Sequence, residues 1–281
     1  LKPLTVSAAL KNNSVTPSTL IDTAKGFYRV GKRLTVRDTH ANGIISVKEV
    51  VQKSSNIGTT HIVEGLEKKY LWSMLNSFGM GTKTGIQYPG EVTGKIHHYE
   101  DWGETERATI SYGYGISSTL IQLAQAYTVF ANDGVIKPIS LFKEEGLVIG
   151  RRVIDKKTSH EMLQILESVV TEGTATYAKV KGYRVAGKTG TTKKLDMNGG
   201  GYGKKYIGSF VGMAPASNPR FILAVMIDEP TVDGYYGGVV AAPVFSSIMT
   251  EALKIYSIPQ DEIEFKNPKE QKMVYLNQHD E

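Results

Sequence analysis

Residues 182–192 read GYRVAGKTGTT, and the fold turns on what this stretch forms. Gly182, four intervening residues and Gly187-Lys188-Thr189 satisfy G-x-x-x-x-G-K-[ST], the loop that cradles phosphate. The same residues hold Lys188-Thr189-Gly190, a triplet that can be displayed on a strand. A phosphate cradle needs backbone N–H groups at the first turn of a helix that begins at once. Here Thr189 is followed by Gly190-Thr191-Thr192 and then by a glycine-rich turn, while Tyr183 to Ala186 read as strand where a flexible loop is required. FILAVMIDE, with Asp228 near its end, imitates the second strand of a nucleotide site. Short motifs of this kind match by chance, so it does not rescue the cradle. Residues 182–192 are read as a strand with K-T-G at its centre.

Strand texture continues downstream. YRVAGKTG, YIGSFVGMAPA and RFILAVMIDEP are three consecutive strand-like segments divided by Gly-rich or Asn-Pro turns. Short connections imply antiparallel pairing, because a parallel crossover needs a dozen or more residues. KKLDMNGGGYGKK has room for a helix, but its glycines oppose one.

Upstream the pattern is helical. Residues 3–12 predict a helix with Pro3 in its first turn, and residues 15–45 read as loop and short strand. Ser46 and Glu49 have capping-box spacing at the head of SVKEVVQKSSN. Further helices are predicted from about Ile57, through EKKYLWSMLNSFGMG to Gly79 or Gly81, and through STLIQLAQAYTVFANDG with Gly134 as the C-cap. Thr158 and Glu161 predict the cap of another, and Pro243 to about Ile258 a last one. Residues 1–258 are read as one domain and 259–281 as a polar, peripheral tail.

With 281 residues, 41% apolar and 22% charged, the chain has the composition of an ordinary globular domain. A net charge of +5 is spread along it, which favours a solvated surface over a nucleic-acid surface, and no nucleic-acid partner is expected. There is no cysteine, hence no disulfide framework and no thiolate metal site. No uninterrupted run of 18 apolar residues occurs, so no membrane span is expected. The start at LKPLTVSAAL is abrupt and already helical, and a missing upstream segment is expected from it.

The K-T-G triplet has companions. Ser54-Ser55-Asn56 is S-x-N, and Lys2 stands where the lysine of S-x-x-K would be. The set S-x-x-K, S-x-N and K-T-G belongs to enzymes that acylate a serine, the penicillin-binding proteins and β-lactamases. A second triplet, Lys83-Thr84-Gly85, precedes IQYPGE, lacks the strand context and is given no role at the reaction centre. Beyond the motifs, TGIQYPGEVTG, ATISYGYGISSTLIQLAQAYTVFANDG, YIGSFVGMAPASNPRF and YYGGVVAAPVFSSIM make residues 1–258 resemble the transpeptidase domain of class B penicillin-binding proteins, most of all the cell-division type.

That resemblance implies an α+β fold, an antiparallel sheet flanked by helices with a helical subdomain. It implies a peptidoglycan D,D-transpeptidase: a serine attacks the penultimate D-alanine of a stem peptide ending in D-Ala-D-Ala, and a neighbouring amine resolves the acyl-enzyme. Lys2 would take the serine's proton, Ser54 would relay it to the leaving amine, and Asn56 would hold Lys2 and the substrate amide. Because residues two apart on a helix face different ways, Ser54 and Asn56 are expected at a break between helices. Lys188 and Thr189 would bind the terminal carboxylate, Gly190 would let a peptide approach the strand edge, and the Thr191 N–H would be an oxyanion donor. The serine is expected two positions before Leu1, with N-terminal strands also outside this sequence. Implied partners are stem peptides, β-lactams and membrane proteins of the division machinery, at the periplasmic face of the inner membrane through an anchor not in this sequence. No cofactor and no metal is expected; the close pair His97-His98 is read as solvent-facing. The competing readings are a carboxypeptidase or β-lactamase-like hydrolase and a non-catalytic penicillin-binding scaffold.

Overall fold

The computed structural model describes residues 1–143, 146, 148–196, 201–232 and 234–262. Helix α1 (Lys2–Lys11) starts with proline in its first turn and is buried almost throughout, with Leu4, Val6, Ala8 and Ala9 at 0% exposure. A helix buried all round has neighbours on every side. It packs against α2 (Val47–Gln52), α3 (Asn56–Glu64), α4 (Lys68–Ser77), α5 (Glu104–Tyr112) and α7 (Lys156–Thr171). Between α1 and α2 lie four short strands in two antiparallel ribbons: β1 (Leu20–Asp22) with β4 (Ile44–Ser46), and β2 (Phe27–Val30) with β3 (Leu34–Arg37).

The Ser46–Glu49 capping box forms as expected and opens α2. Gly79 follows α4 at φ 91°, a left-handed turn that favours glycine. Helix α6 (Leu120–Ala131) is capped by Thr119 with Gln122, and its C-cap is Asn132. Gly134, expected there, stands two residues on, where a Cβ would lie 2.1 Å from the Ile154 carbonyl. The α7 cap also differs from expectation. Asp155 is the N-cap, with Oδ1 accepting from the Thr158 N–H at 2.8 Å, so the helix starts before Thr158. Two ribbons too short to register as strand pattern, β5 (Lys95–Ile96) with β6 (Ile116–Ser117) and β7 (Val135–Ile136) with β8 (Arg151–Arg152), tie the connections together.

The central sheet is β9 (Ala186–Leu195), β10 (Tyr202–Ala214) and β11 (Phe221–Asp228), ordered β11-β10-β9 and antiparallel throughout. Strands β9 and β10 extend into the two ends of the KKLDMNGGGYGKK segment, where Tyr202 pairs with Leu195. Helix α8 (Gly237–Val240) lies on β10 at Gly208, and Phe245 of α9 (Ala242–Ile255) meets Phe210 with ring centroids 4.7 Å apart. The span Gly237–Ile255 has the length and hydropathy of a membrane segment, 19 residues at mean hydropathy 1.3, contrary to the reading that no segment qualifies. Its Phe245, Met249 and Leu253 are buried in the core, the pattern of a helix packed on a sheet.

The tail is anchored where it begins. Asp261 accepts from the Arg184 N–H at 2.8 Å and the Ser217 N–H at 3.1 Å, and the Glu262 N–H donates to the Gly182 carbonyl at 3.2 Å. These contacts tie residues 261 and 262 to the domain surface, where Glu262 stays exposed and Asp261 partly so; residues 263–281 lie outside the described residues.

Candidate active site

Ser54 sits where α2 has ended and α3 has not begun, at φ 61°. A residue with a Cβ holds this left-handed conformation only with support from its surroundings. On one side, the Ser54 N–H donates to the Val51 carbonyl at 3.2 Å and the Ser55 N–H to the Val50 carbonyl at 2.9 Å. On the other, Ser55 is the N-cap of α3, its hydroxyl accepting from the Gly58 N–H at 2.8 Å. Asp38, just past β3, completes that cap. Its Oδ1 accepts from the Asn56 N–H at 2.6 Å and the Ile57 N–H at 3.1 Å, and its Oδ2 from the Ser55 hydroxyl at 2.5 Å. A carboxylate is favoured at this end of a helix by the backbone dipoles. The break between helices is thus real, and its left-handed residue is Ser54.

Lys2 reaches into the break from the first turn of α1, its Nζ donating to Ser54 Oγ at 3.2 Å. Burial pushes the Lys2 ammonium down to about 8, against an opposing pull from Asp38. Lys188, at 5% exposure, enters from β9. Its Nζ donates to Thr189 Oγ1 at 3.1 Å, the Thr189 carbonyl at 3.3 Å and Thr174 Oγ1 at 3.5 Å. Burial first and the Lys2 charge second hold it well below the usual lysine range. Mutually repelling cations in a dry cleft bind an anion well, since a carboxylate there removes the repulsion and restores the charged lysine.

Strand β9 is the outer strand of the three-stranded sheet. Gly190 faces Ser209 across it, and a Cβ would lie 2.5 Å from Ser209 Oγ. A side chain at this position would require the Ser209 hydroxyl to turn away. The Thr191 hydroxyl accepts from the Gly237 N–H at 3.1 Å and so anchors the segment entering α8.

The structure brings Lys2, Ser54, Lys188 and Thr189 together. Asn56 adjoins them, but its side-chain amide donates to the Arg37 carbonyl at 3.0 Å and not to Lys2, which differs from the expected contact. Three contributors were missed. Asp38 acts across a separation of 17 residues and carries no local signal. Ser55, given no function, is the cap. Thr174, in the turn after α7, places its hydroxyl 2.9 Å from Thr189 Oγ1, and no motif marks it. Lys83-Thr84-Gly85 forms a loop elsewhere, where Glu91 accepts from the Thr84 N–H at 2.6 Å and the Thr84 hydroxyl at 2.5 Å. The residues after Thr189 stay in β9 to Leu195, so the helix a phosphate cradle needs is not there. Among the described residues no three His, Asp or Glu side chains converge as a metal site.

Comparison with known proteins follows the same lines. The family described as penicillin binding protein transpeptidase domain matches residues 1–250. The probable peptidoglycan D,D-transpeptidase PenA of Neisseria flavescens is 40% identical over 259 residues, 92% of this chain and 64% of that protein. The peptidoglycan D,D-transpeptidase FtsI of Escherichia coli is 36% identical over 262 residues, 93% of this chain and 44% of that protein. The chain thus spans between about two fifths and two thirds of the length of these relatives. Among solved structures, the apo TP domain of Burkholderia pseudomallei penicillin-binding protein 3 superimposes with a TM-score of 0.88 at 42% identity, covering 93% of this chain and 80% of that one.

Proposed function

This chain belongs to the penicillin-binding protein transpeptidase family, and from that premise we propose that it carries the acyl-transfer site of a septal peptidoglycan D,D-transpeptidase. The observation that carries this is the hydrogen bond from Lys2 Nζ to Ser54 Oγ beside a buried Lys188. With its ammonium at about 8, Lys2 is neutral in about a tenth of molecules at pH 7, enough to serve as a base.

In the proposed mechanism the serine of S-x-x-K, three residues before Lys2, attacks the carbonyl of the penultimate D-alanine while Lys2 takes its proton. Ser54, bridged to Lys2, passes a proton to the nitrogen of the departing D-alanine as the C–N bond breaks. Lys188 and Thr189, with Thr174 behind them, hold the terminal carboxylate through charge-assisted hydrogen bonds. The outer edge of β9 pairs with the extended peptide, and the Thr191 N–H and the serine's own N–H receive the oxyanion. Asn56 positions the substrate amide from the start of α3. An amine from a second stem peptide then displaces the serine and forms the cross-link. β-Lactams enter the same site as acylating mimics. Likeness to the FtsI relatives supports a place at the periplasmic face of the inner membrane among division proteins.

The test is acylation by a fluorescent penicillin, on a polypeptide that includes the serine three residues before Lys2. A one-to-one adduct released over hours is expected. Rapid hydrolysis would make the protein a hydrolase, and absence of an adduct would make it a scaffold.

A further inference from the structure

The second K-T-G copy, which the acyl-transfer site does not use, lines a cavity of about 440 Å³ between the end of α4 and the β7–β8 ribbon. Three cations from three separate segments line it: Lys83, Lys137 and Arg151. Pairing of Ile136 with Arg151 brings the last two together, and β8 runs so close to β7 that a Cβ on Gly150 would lie 2.5 Å from the Ile136 carbonyl. Both are held in place. Lys137 Nζ donates to the Val148 carbonyl at 3.1 Å, and Arg151 Nη2 to the Ser77 carbonyl at the end of α4 at 2.8 Å.

Capping a helix and bracing a loop are sufficient structural reasons for those two bonds, but they use little of what these groups offer. A guanidinium has five donors and an ammonium three. Among the described residues, none of the three cations is in an ion pair. Among the described residues, no carboxylate lines the cavity. Glu91, which grips Thr84 and feels the Lys83 charge, offsets one cation and leaves a surplus of two among the described residues. The remaining wall is apolar, from Ile136, Pro138 and Ile149. Ile149 is 81% exposed, and Leu141 and Phe142 on the same connection are 58% and 77% exposed.

We propose that this cavity binds a phosphate group, with Lys83, Lys137 and Arg151 as its ligands. A surplus of two positive charges matches a dianion better than a single carboxylate, and the Arg151 fork suits paired phosphate oxygens. The exposed apolar rim suits the acyl chains of an anionic phospholipid whose head group would supply the phosphate, with free phosphate as the other source of the same chemistry. The site is separate from the acyl-transfer cleft and does not depend on that reading.

The test is an NMR titration with inorganic phosphate to about 10 mM, the weak-binding range for a small anion, together with sedimentation on vesicles with and without phosphatidic acid. Lys83→Glu is the deciding variant, because among the described residues the Lys83 side chain makes no hydrogen bond that braces the fold. Saturable shifts at residues 82–84, 136–138 and 149–151, weakened about tenfold or more in Lys83→Glu, are expected for reversal of one contacting charge. Sedimentation with phosphatidic acid that Lys83→Glu abolishes identifies the lipid as the source, and binding of inorganic phosphate alone identifies the free anion. Either outcome supports the site. No saturable shift and no sedimentation, or binding that Lys83→Glu leaves unchanged, overturns it. Amide-proton dispersion and a thermal midpoint for Lys83→Glu equal to those of the unmodified protein show that the variant is folded.

Discussion

Lys188-Thr189-Gly190 and Lys83-Thr84-Gly85 are the same three residues in two settings. In the first, strand alternation drives the lysine into a dry cleft against another lysine, where burial strips both of their usual affinity for a proton. The glycine lies against the Ser209 hydroxyl across the sheet, and the threonine hydroxyl turns to Thr174. In the second, the threonine is consumed by Glu91, nothing lies within 4 Å of where a Cβ on Gly85 would be, and the lysine stands exposed at the mouth of a cavity. The triplet carries no chemistry by itself. What differs is the dielectric around the ammonium and the partner aimed at it.

The largest effect that separates the two settings concerns Lys2, which only the strand copy faces. Lys2→Ala should lower β-lactam acylation by about a thousandfold, within the range for loss of a general base. The unmodified protein should show acylation rising about tenfold per unit below pH 8 and levelling above it. Lys2 at about 8 is mostly ammonium below that pH and neutral above it. A stopped-flow pH series that stays flat from 6 to 9 would remove Lys2 as the base. A smaller effect sharpens the comparison at the threonine. Thr174→Val should slow acylation about fivefold, the loss of one hydrogen bond worth about 1 kcal/mol. The midpoint of the pH limb should not move, since Lys2 is untouched. Equal rates for Thr174→Val and wild type would leave Thr174 as a bystander in its turn.

Elements whose signals lie within a few residues of one another were legible. The Ser46–Glu49 box, the proline opening α1, the left-handed Gly79 and the three antiparallel strands all rest on local rules. The break between α2 and α3 was also readable, because Ser and Asn two apart cannot share a helix face. What escaped reading is held by partners distant in sequence. Asp38 caps α3 from another element, Asp261 returns to Arg184, and Thr174 meets Thr189 only through the packing of α7 against β9. The shift of a cap from Thr158 to Asp155 has a different cause, since both residues are competent caps and only the helix start distinguishes them.

The central claim is that the strand copy, and not the loop copy, is the acyl-transfer lysine. It is tested most directly by acylation rates of Lys188→Ala and Lys83→Ala, measured side by side with one fluorescent penicillin, on chains that include the serine before Lys2. At least about a hundredfold loss is expected for Lys188→Ala, as for removal of a positioned charge from a closed site, and a change below about twofold for Lys83→Ala, an exposed residue outside it. A folded Lys188→Ala protein that acylates at the wild-type rate, or a Lys83→Ala protein that loses the greater share, would contradict it.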